Sequence, residues 1–300
     1  MNIRELEYLV AVDEERHFHK AAARCYVSQP TLSGQLKKLE QELGVLLIER
    51  STRRVDMTEV GKEVVEHARS VLAGIKDIQT IAQTYHDPMR GDLRVGIIPT
   101  IAPYLLPIIM PALNKQFSDL KLWLYEYQTE ILLEKLRRAE LDVLILALPI
   151  KAHEFKEVDL YREPFRLALK RGQELSKREN ITLSDIANRE VLLLEEGHCL
   201  RGHVLDVCSL LDVTESAQFK ATSLETLRHM VGEGMGMTLM PELAVPAKKT
   251  KRDLIQYIEF SDPKPNRRIG MLYRKNSYRE EAFKNITELI KSVLPVSIFF

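Results

Sequence analysis

The chain has 300 residues with 43 Lys and Arg against 43 Asp and Glu, so its net charge of zero marks neither a nucleic-acid nor a membrane partner. Hydrophobic residues make up 45 % of it, enough for about two domain cores, and no apolar run is as long as the roughly 18 residues that cross a membrane. Three cysteines are too few for a secreted disulfide framework, and the opening MNIRELEYLV mixes acidic with apolar residues and is not read as a signal peptide; a cytoplasmic protein is expected, in which a disulfide acts as a signal rather than a staple.

Ile3, Leu6, Leu9 and Val10 share one helical face, and a short Ala-rich helix, HKAAARC, follows. In YVSQPTLSGQLKKLEQELGV, Leu32, Leu36, Leu39 and Leu43 line one side of a third helix, with Ser28 suited to its N-cap and Gly44 to its stop. The other side carries Pro30, Gly34, Lys37 and Gln41, with Gln29, Thr31, Ser33 and Lys38 beside them. Short polar groups at the start of such a helix approach base edges, and lysines further along reach phosphates. Helix, short helix, tight turn and polar-faced helix make a helix-turn-helix pattern. Arg50, Arg53 and Arg54 then fall in a hairpin or wing. From Arg16 to Arg54 there are eight basic residues against three acidic ones, a local basic patch inside a neutral chain. The plainer alternative is a solvated three-helix domain with scattered charge.

A long helix begins after Thr58. Val64, Ala68, Val71, Ile75, Ile78, Ala82 and Tyr85 alternate spacings of four and three, a heptad seam that calls for a partner helix and hence a dimer. A single helix lying on its own domain is the alternative. The segment His86 to Gly91 breaks the helix and marks a hinge. The texture then changes to short apolar runs between helical patterns. Strands are expected over Leu93–Ile98, Leu122–Tyr127, Val143–Leu148, Phe165–Leu169, Val191–Leu194, Gln218–Ala221, Thr238–Met240 and Ile269–Tyr273, with helices over Pro103–Phe117 and Ile131–Ala139. This alternation predicts an α/β region with a largely parallel sheet. GEGMG near Gly232 lies between a helix and a strand, the wrong order for a dinucleotide fingerprint, and no cofactor is expected.

In open α/β sheets ligands bind beyond the carboxyl ends of strands, and that rule places Thr100, Thr129, His198 and Cys199 at crevice positions. Two of the three cysteines stand nine residues apart in EEGHCLRGHVLDVC. His198 and Arg201 would lower the Cys199 pKa if they point at it. Peroxide converts a thiolate to a sulfenic acid, which a second thiol condenses to a disulfide, and Cys208 stands nearby. Cys25, in the Ala-rich helix, reads as a small core residue, a reading open to Cys199 as well. A metal site from His198, Cys199, His203 and Cys208 is disfavoured, because adjacent ligands rarely fit one tetrahedral ion. Val204, Leu205, Val207 and Leu211 give Gly202 to Leu211 a helical pattern. Were the whole interval helical, nine residues would separate the two cysteines by roughly 13–14 Å along the axis. A disulfide tolerates about 4.4–6.8 Å between Cα atoms, so the segment would have to open, hinging around Gly197 and Gly202.

The block FHKAAARCYVSQPTLSGQLKKLEQELGVLLIERSTRRVDMTEVG resembles the LysR-type transcriptional regulators, and the resemblance runs along the whole chain. GHCLR with a second cysteine nine residues on, IIPTIAPYLLP around Thr100, ILAL around Leu146 and ATSLETLRHMV around Ser223 are similar to the peroxide-sensing branch of that family. The resemblance implies an α plus α/β chain. It comprises a winged helix-turn-helix over residues 1–58, a dimerising linker helix and hinge over 59–90, and a regulatory region over 91–300. That region looks like a periplasmic binding protein, with one subdomain over 91–163 and 267–300 and a second over 164–266. The resemblance implies Cys199 as the residue attacked by hydrogen peroxide, Cys208 as its resolving partner, and Thr100, Thr129 and His198 as the groups that hold peroxide. It further implies promoter DNA, a homodimer or homotetramer and RNA polymerase as partners; a glutaredoxin- or thioredoxin-type reductant would reset the disulfide. The chain departs from the family pattern at Gly202, where an acidic residue is expected, and at Gln218, where a histidine is common. A LysR-type sensor of a small metabolite and a thiol peroxidase are the competing readings. The DNA-reading block argues against the enzyme.

Overall fold

The computed structural model describes residues 1–50, 55–84, 87–150, 152–208, 214–247, 253–295 and 297–298. They form two compact units, one built on Met1–His86 and the other on the chain from Asp87. The first holds helices α1 (Ile3–Glu15), α2 (Phe18–Arg24) and α3 (Gln29–Leu43), an antiparallel hairpin of β1 (Ile48–Arg50) and β2 (Val55–Met57), and the long helix α4 (Glu59–Thr84). Local chemistry fixes the helix ends. Asn2 accepts the Glu5 N–H at 3.1 Å, and the Glu5 carboxylate accepts the Asn2 N–H at 2.8 Å, a reciprocal capping box. The Ser28 hydroxyl accepts the Thr31 N–H at 3.2 Å, and Gly44, at φ 68°, turns the chain out of α3.

Leu32, Leu36 and Leu39 bury against Leu9, Val12 and Ala21. Leu43, expected on the same face, is exposed, because it lies in the last turn of α3, past the residues that form the core. One buried carboxylate closes this end of the unit. Glu40 accepts the backbone N–H of Leu47 at 3.0 Å and of Ile48 at 3.1 Å, tying α3 to the hairpin.

The seam expected along α4 divides. Ala68 is buried and Val64 is half-buried against the unit's own core, so its first part packs within the chain. The buried Arg69 joins them: it donates to Asp13 at 2.8 Å and pairs with Glu14, which also pairs with Arg24. Val71 and Ile78 are exposed and Ile75 is half-buried, so the stripe open to a partner starts at Val71. Tyr85 lies outside the described residues.

The second unit runs β3 (Gly91–Ile97), α5 (Ala102–Gln116), β4 (Leu120–Glu126), α6 (Thr129–Arg137), β5 (Val143–Leu148), β6 (Phe155–Lys170), β7 (Asn180–Ile181), β8 (Glu190–Leu194), α7 (Cys199–Cys208), β9 (Thr214–Ala221), α8 (Leu224–Glu233), β10 (Thr238–Pro241), β11 (Ile255–Phe260), β12 (Asn266–Arg274) and α9 (Glu280–Val293). The main sheet has the order β4-β3-β5-β12-β6-β11-β7, with β10 also on β6, while β8 and β9 form a separate parallel pair. The sheet is mixed rather than largely parallel. β3 lies parallel to β4 and β5, but β12 runs antiparallel to both β5 and β6, and β6 is antiparallel to β11. The strand expected at Phe165–Leu169 is the second half of β6; Lys156, Glu157, Asp159 and Glu163 disguise the first half as a polar loop.

β6 passes from one hydrophobic core into another. Leu160 and Tyr161 pack with β3, β5, β12 and α9; Phe165, Leu167 and Leu169 pack with β8, β10, β11 and α8. Glu163 lies between the two sets. It pairs in register with Arg267 of β12.

Glu40→Ala leaves the two N–H groups that Glu40 holds without a partner. It is expected to cost about 1–3 kcal/mol of stability, read as a lowered urea midpoint. Glu40→Gln keeps an acceptor oxygen and is expected to lose less.

Candidate redox site and nucleic-acid interface

Three turns at the carboxyl ends of strands supply the site: Thr100 follows β3, Thr129 opens α6 after β4, and Cys199 opens α7 after β8. Cys199 packs against the first core, whereas Leu200 and Val204, one and five residues later, are buried in the second. Burial of the sulfur raises the thiol pKa; the Arg267 guanidinium, the Thr129 hydroxyl and the backbone of Ala147 and Leu200 pull it back down without reversing the shift. The resting group is therefore the thiol. Thr129 Oγ1 is buried beside the sulfur with no well-formed hydrogen bond of its own, so it has capacity left for a further partner.

Arg267 is the residue that sequence reasoning missed. It is 2 % exposed and its partner Glu163 is 1 % exposed. Arg267 Nε donates to Glu163 Oε2 at 2.8 Å, Nη1 to the Thr100 hydroxyl at 3.0 Å and Nη2 to the Thr100 carbonyl at 2.9 Å. The other Glu163 oxygen accepts the Leu243 N–H at 2.9 Å. One guanidinium thus fixes the turn that carries Thr100 and sets a positive charge beside the Cys199 thiol. Because Thr100 accepts from Arg267, its own hydroxyl proton is free to donate. The only signal in the sequence was an arginine set into an apolar strand, with a glutamate similarly placed in LYREPF.

His198 and Arg201, expected to act on the thiol, are engaged elsewhere. His198 is buried and held by a hydrogen bond to the Thr222 backbone; burial lowers its pKa, against the pull of Glu195, and the ring is mainly neutral at pH 7. Arg201 reaches the Leu194 carbonyl at 3.4 Å. Of the two expected hinge glycines, Gly197 has φ +94°, and a Cβ there would come within 2.6 Å of the Gln128 side chain. Gly202 lies inside α7 with open space around it. The helix extends unbroken from Cys199 to Cys208, one turn earlier than the apolar pattern predicts. Of the apolar residues in that pattern, Leu205 is exposed, Val204 is buried and Val207 partly so, and Leu211 lies outside the described residues. Among the described residues no three His, Cys, Asp or Glu gather as a metal site, and no helix is long and apolar enough to cross a membrane.

In the first unit Gln29, Pro30, Thr31 and Lys37 are exposed along the outer face of α3, and Ser33 is half-buried. Arg50 lies in β1, and Arg53 and Arg54 lie outside the described residues. The hairpin and α3 are thus both in place for a wing and a recognition helix.

Comparisons with known proteins match the same two parts. Residues 3–62 match the bacterial regulatory helix-turn-helix protein, lysR family, and residues 86–295 match the LysR substrate binding domain. The chain is 46 % identical over 292 residues to the DNA-binding transcriptional dual regulator OxyR of Escherichia coli (strain K12), covering 97 % of this chain and 95 % of that protein. Among solved structures it is similar to full-length OxyR of Pseudomonas aeruginosa carrying a cysteine-to-aspartate change, at 37 % identity and TM-score 0.78 over 97 % of this chain and 95 % of the other. It is also similar to a hydrogen-peroxide-bound cysteine-to-serine mutant of Corynebacterium glutamicum OxyR, at 35 % identity and TM-score 0.67 over 97 % and 92 % of the two chains.

Because the Cys199 pKa is raised, alkylation at that residue is expected to speed up with rising pH, with a midpoint above the ordinary thiol value of about 8.5. Arg267→Met combined with Glu163→Gln removes the cation without stranding the carboxylate. This double change should raise the midpoint further and slow alkylation at about pH 8, read by mass spectrometry of the Cys199 peptide. An unmoved midpoint would show that the guanidinium does not act on the thiol. Arg267→Met alone is expected to cost about 3–5 kcal/mol of stability, because it leaves a buried carboxylate unpaired.

Proposed function

The chain belongs to the LysR family of bacterial helix-turn-helix regulators, and from that premise we propose that it is a hydrogen-peroxide-responsive DNA-binding transcriptional regulator of the OxyR kind. The observation that carries this reading is the grouping of a partly buried thiol, the free hydrogen-bonding capacity of Thr129 and Thr100, and a fixed guanidinium. Peroxide is held by the two hydroxyls, and Arg267 stabilises the thiolate as the proton leaves. The sulfur attacks one peroxide oxygen, the O–O bond breaks, and the products are a sulfenic acid and water. His198, neutral and tethered to Thr222, serves to orient the turn before Cys199 rather than to supply charge. The Cys208 thiol then displaces the sulfenic oxygen as a second water, leaving a disulfide.

That second step opposes the fold. Nine helical residues separate the two Cα atoms by roughly 13–14 Å. The bond needs about 4.4–6.8 Å. α7 therefore unwinds, and Leu200 and Val204 leave the second core, each release costing about 1.5–3 kcal/mol. This refolding is the signal passed to the DNA readers. Residues 1–58 read operator DNA through Gln29, Pro30, Thr31, Ser33, Lys37 and the arginines at 50, 53 and 54. Residues 59–90 join two chains, and residues 91–300 sense peroxide. Work in the cytoplasm, a tetrameric assembly, contact with RNA polymerase and resetting by a glutaredoxin- or thioredoxin-type reductant complete the reading. The relatives are regulators, and the oxidation is read as stoichiometric rather than as turnover.

Mass spectrometry after one equivalent of peroxide tests this directly. The wild type should lose two hydrogens. Cys208→Ser should stop at a sulfenic acid or over-oxidise, and Cys199→Ser should stay unchanged. First labelling of Cys208 by a sulfenic-acid probe would reverse the roles. Hydrogen exchange across α7 should rise on oxidation; equal protection in both states would exclude refolding as the transducing step. For assembly, Val71→Glu with Ile78→Glu places charges on two exposed stripe positions and is expected to split the dimer in sedimentation while the fold persists.

A further inference from the structure

The turn between α2 and α3 carries a side chain the fold does not use. Tyr26 is 96 % exposed, more than any other large apolar side chain among the described residues. Its backbone is left-handed at φ 57°, a conformation that glycine or asparagine adopts with less strain than an aromatic residue. The turn is held without the ring: the Tyr26 N–H donates to the Ala23 carbonyl at 3.2 Å, the Val27 N–H donates to the Ala22 carbonyl at 3.0 Å, and Val27 and Cys25 pack on the core. Tyr26 stands two residues before Ser28, the cap of α3, and only the half-buried Val27 separates it from the exposed run of Ser28, Gln29, Pro30 and Thr31. Strain and exposure together at one position call for a partner outside the chain.

We propose that Tyr26 is a DNA-contact residue whose phenol hydroxyl donates to a backbone phosphate at the edge of the groove entered by α3. This rests on the DNA-reading function proposed above. A phosphate suits the position better than a base edge, because the residue precedes the helix cap and lies outside the helix that enters the groove. Tyrosine hydroxyls are common donors to phosphate oxygens, and such contacts set register without reading sequence. The group is neutral, so it binds phosphate without the cation release that lysine and arginine contacts produce.

The test uses the full-length protein and a fluorescein-labelled duplex of mixed sequence, because a phosphate contact acts on any sequence. Tyr26→Ala is expected to weaken binding about five- to tenfold. Tyr26→Phe should lose nearly as much, with the slope of affinity against salt unchanged in both. Melting temperatures should match the wild type, separating a contact from a folding role. A Tyr26→Ala protein that binds within about twofold of wild type overturns the contact. Full affinity in Tyr26→Phe overturns the hydroxyl-to-phosphate assignment, and so does a lost melting temperature that accounts for the weakened binding. Failure of the wild type itself to bind any duplex overturns the DNA-reading function, and the Tyr26 role with it, so the two failures are told apart.

Discussion

The buried pair of Glu163 and Arg267 is the constraint on which the second unit turns. Two charges this deep are costly to desolvate, and they persist because most of their hydrogen-bonding capacity is used: Arg267 reaches Glu163 and both the hydroxyl and the carbonyl of Thr100, and Glu163 reaches Leu243. Such a pair contributes little net stability compared with a well-packed apolar substitute. Its product is position. It locks the β6–β12 register where both strands leave the first core, fixes the turn bearing Thr100, and brings a cation to act on the Cys199 sulfur.

The thiol is thereby balanced between opposing influences. Burial keeps the proton on, and the guanidinium and the Thr129 hydroxyl ease its departure. A site fully open to water would ionise more readily but would hold no small oxidant. A site without the cation would keep its proton and stay inert. The split allegiance of α7 adds a mechanical element: Cys199 sits on one core and Leu200 and Val204 on the other, so a chemical change at its first residue acts across the boundary between them.

Much of this was legible in the sequence because the signals are local. Ser28 and Gly44 bound α3 by cap chemistry that spans a few residues, and Val143–Leu148 reads as a strand because every one of its side chains is buried. The strand-end rule found Thr100, Thr129 and Cys199 separately, since each follows a short apolar run. The link from Thr100 to Cys199 through Arg267 was not legible, because 68 residues and a change of core separate Arg267 from Cys199. His198 was found in place, but its bond was not legible: its neighbour in sequence is Cys199, whereas it is held by the Thr222 backbone. The first half of β6 was hidden by lysine and glutamate side chains that sit on a half-buried strand. Along α4 the heptad period was real, but it does not distinguish a seam shared with another chain from one shared with the chain's own core, and Val64 packs on the latter.

The grip of Arg69 on Asp13 and Glu14 makes α4 and the three-helix reader one stiff body. In the dimer proposed above, the exposed stripe beginning at Val71 would work as a ruler. Two chains laid together along it would hold their α3 helices at a single separation. A duplex is selected by the rotational phase between its two half-sites as well as by the bases within each, and inserting half a helical turn between half-sites puts one of them on the wrong side of the DNA.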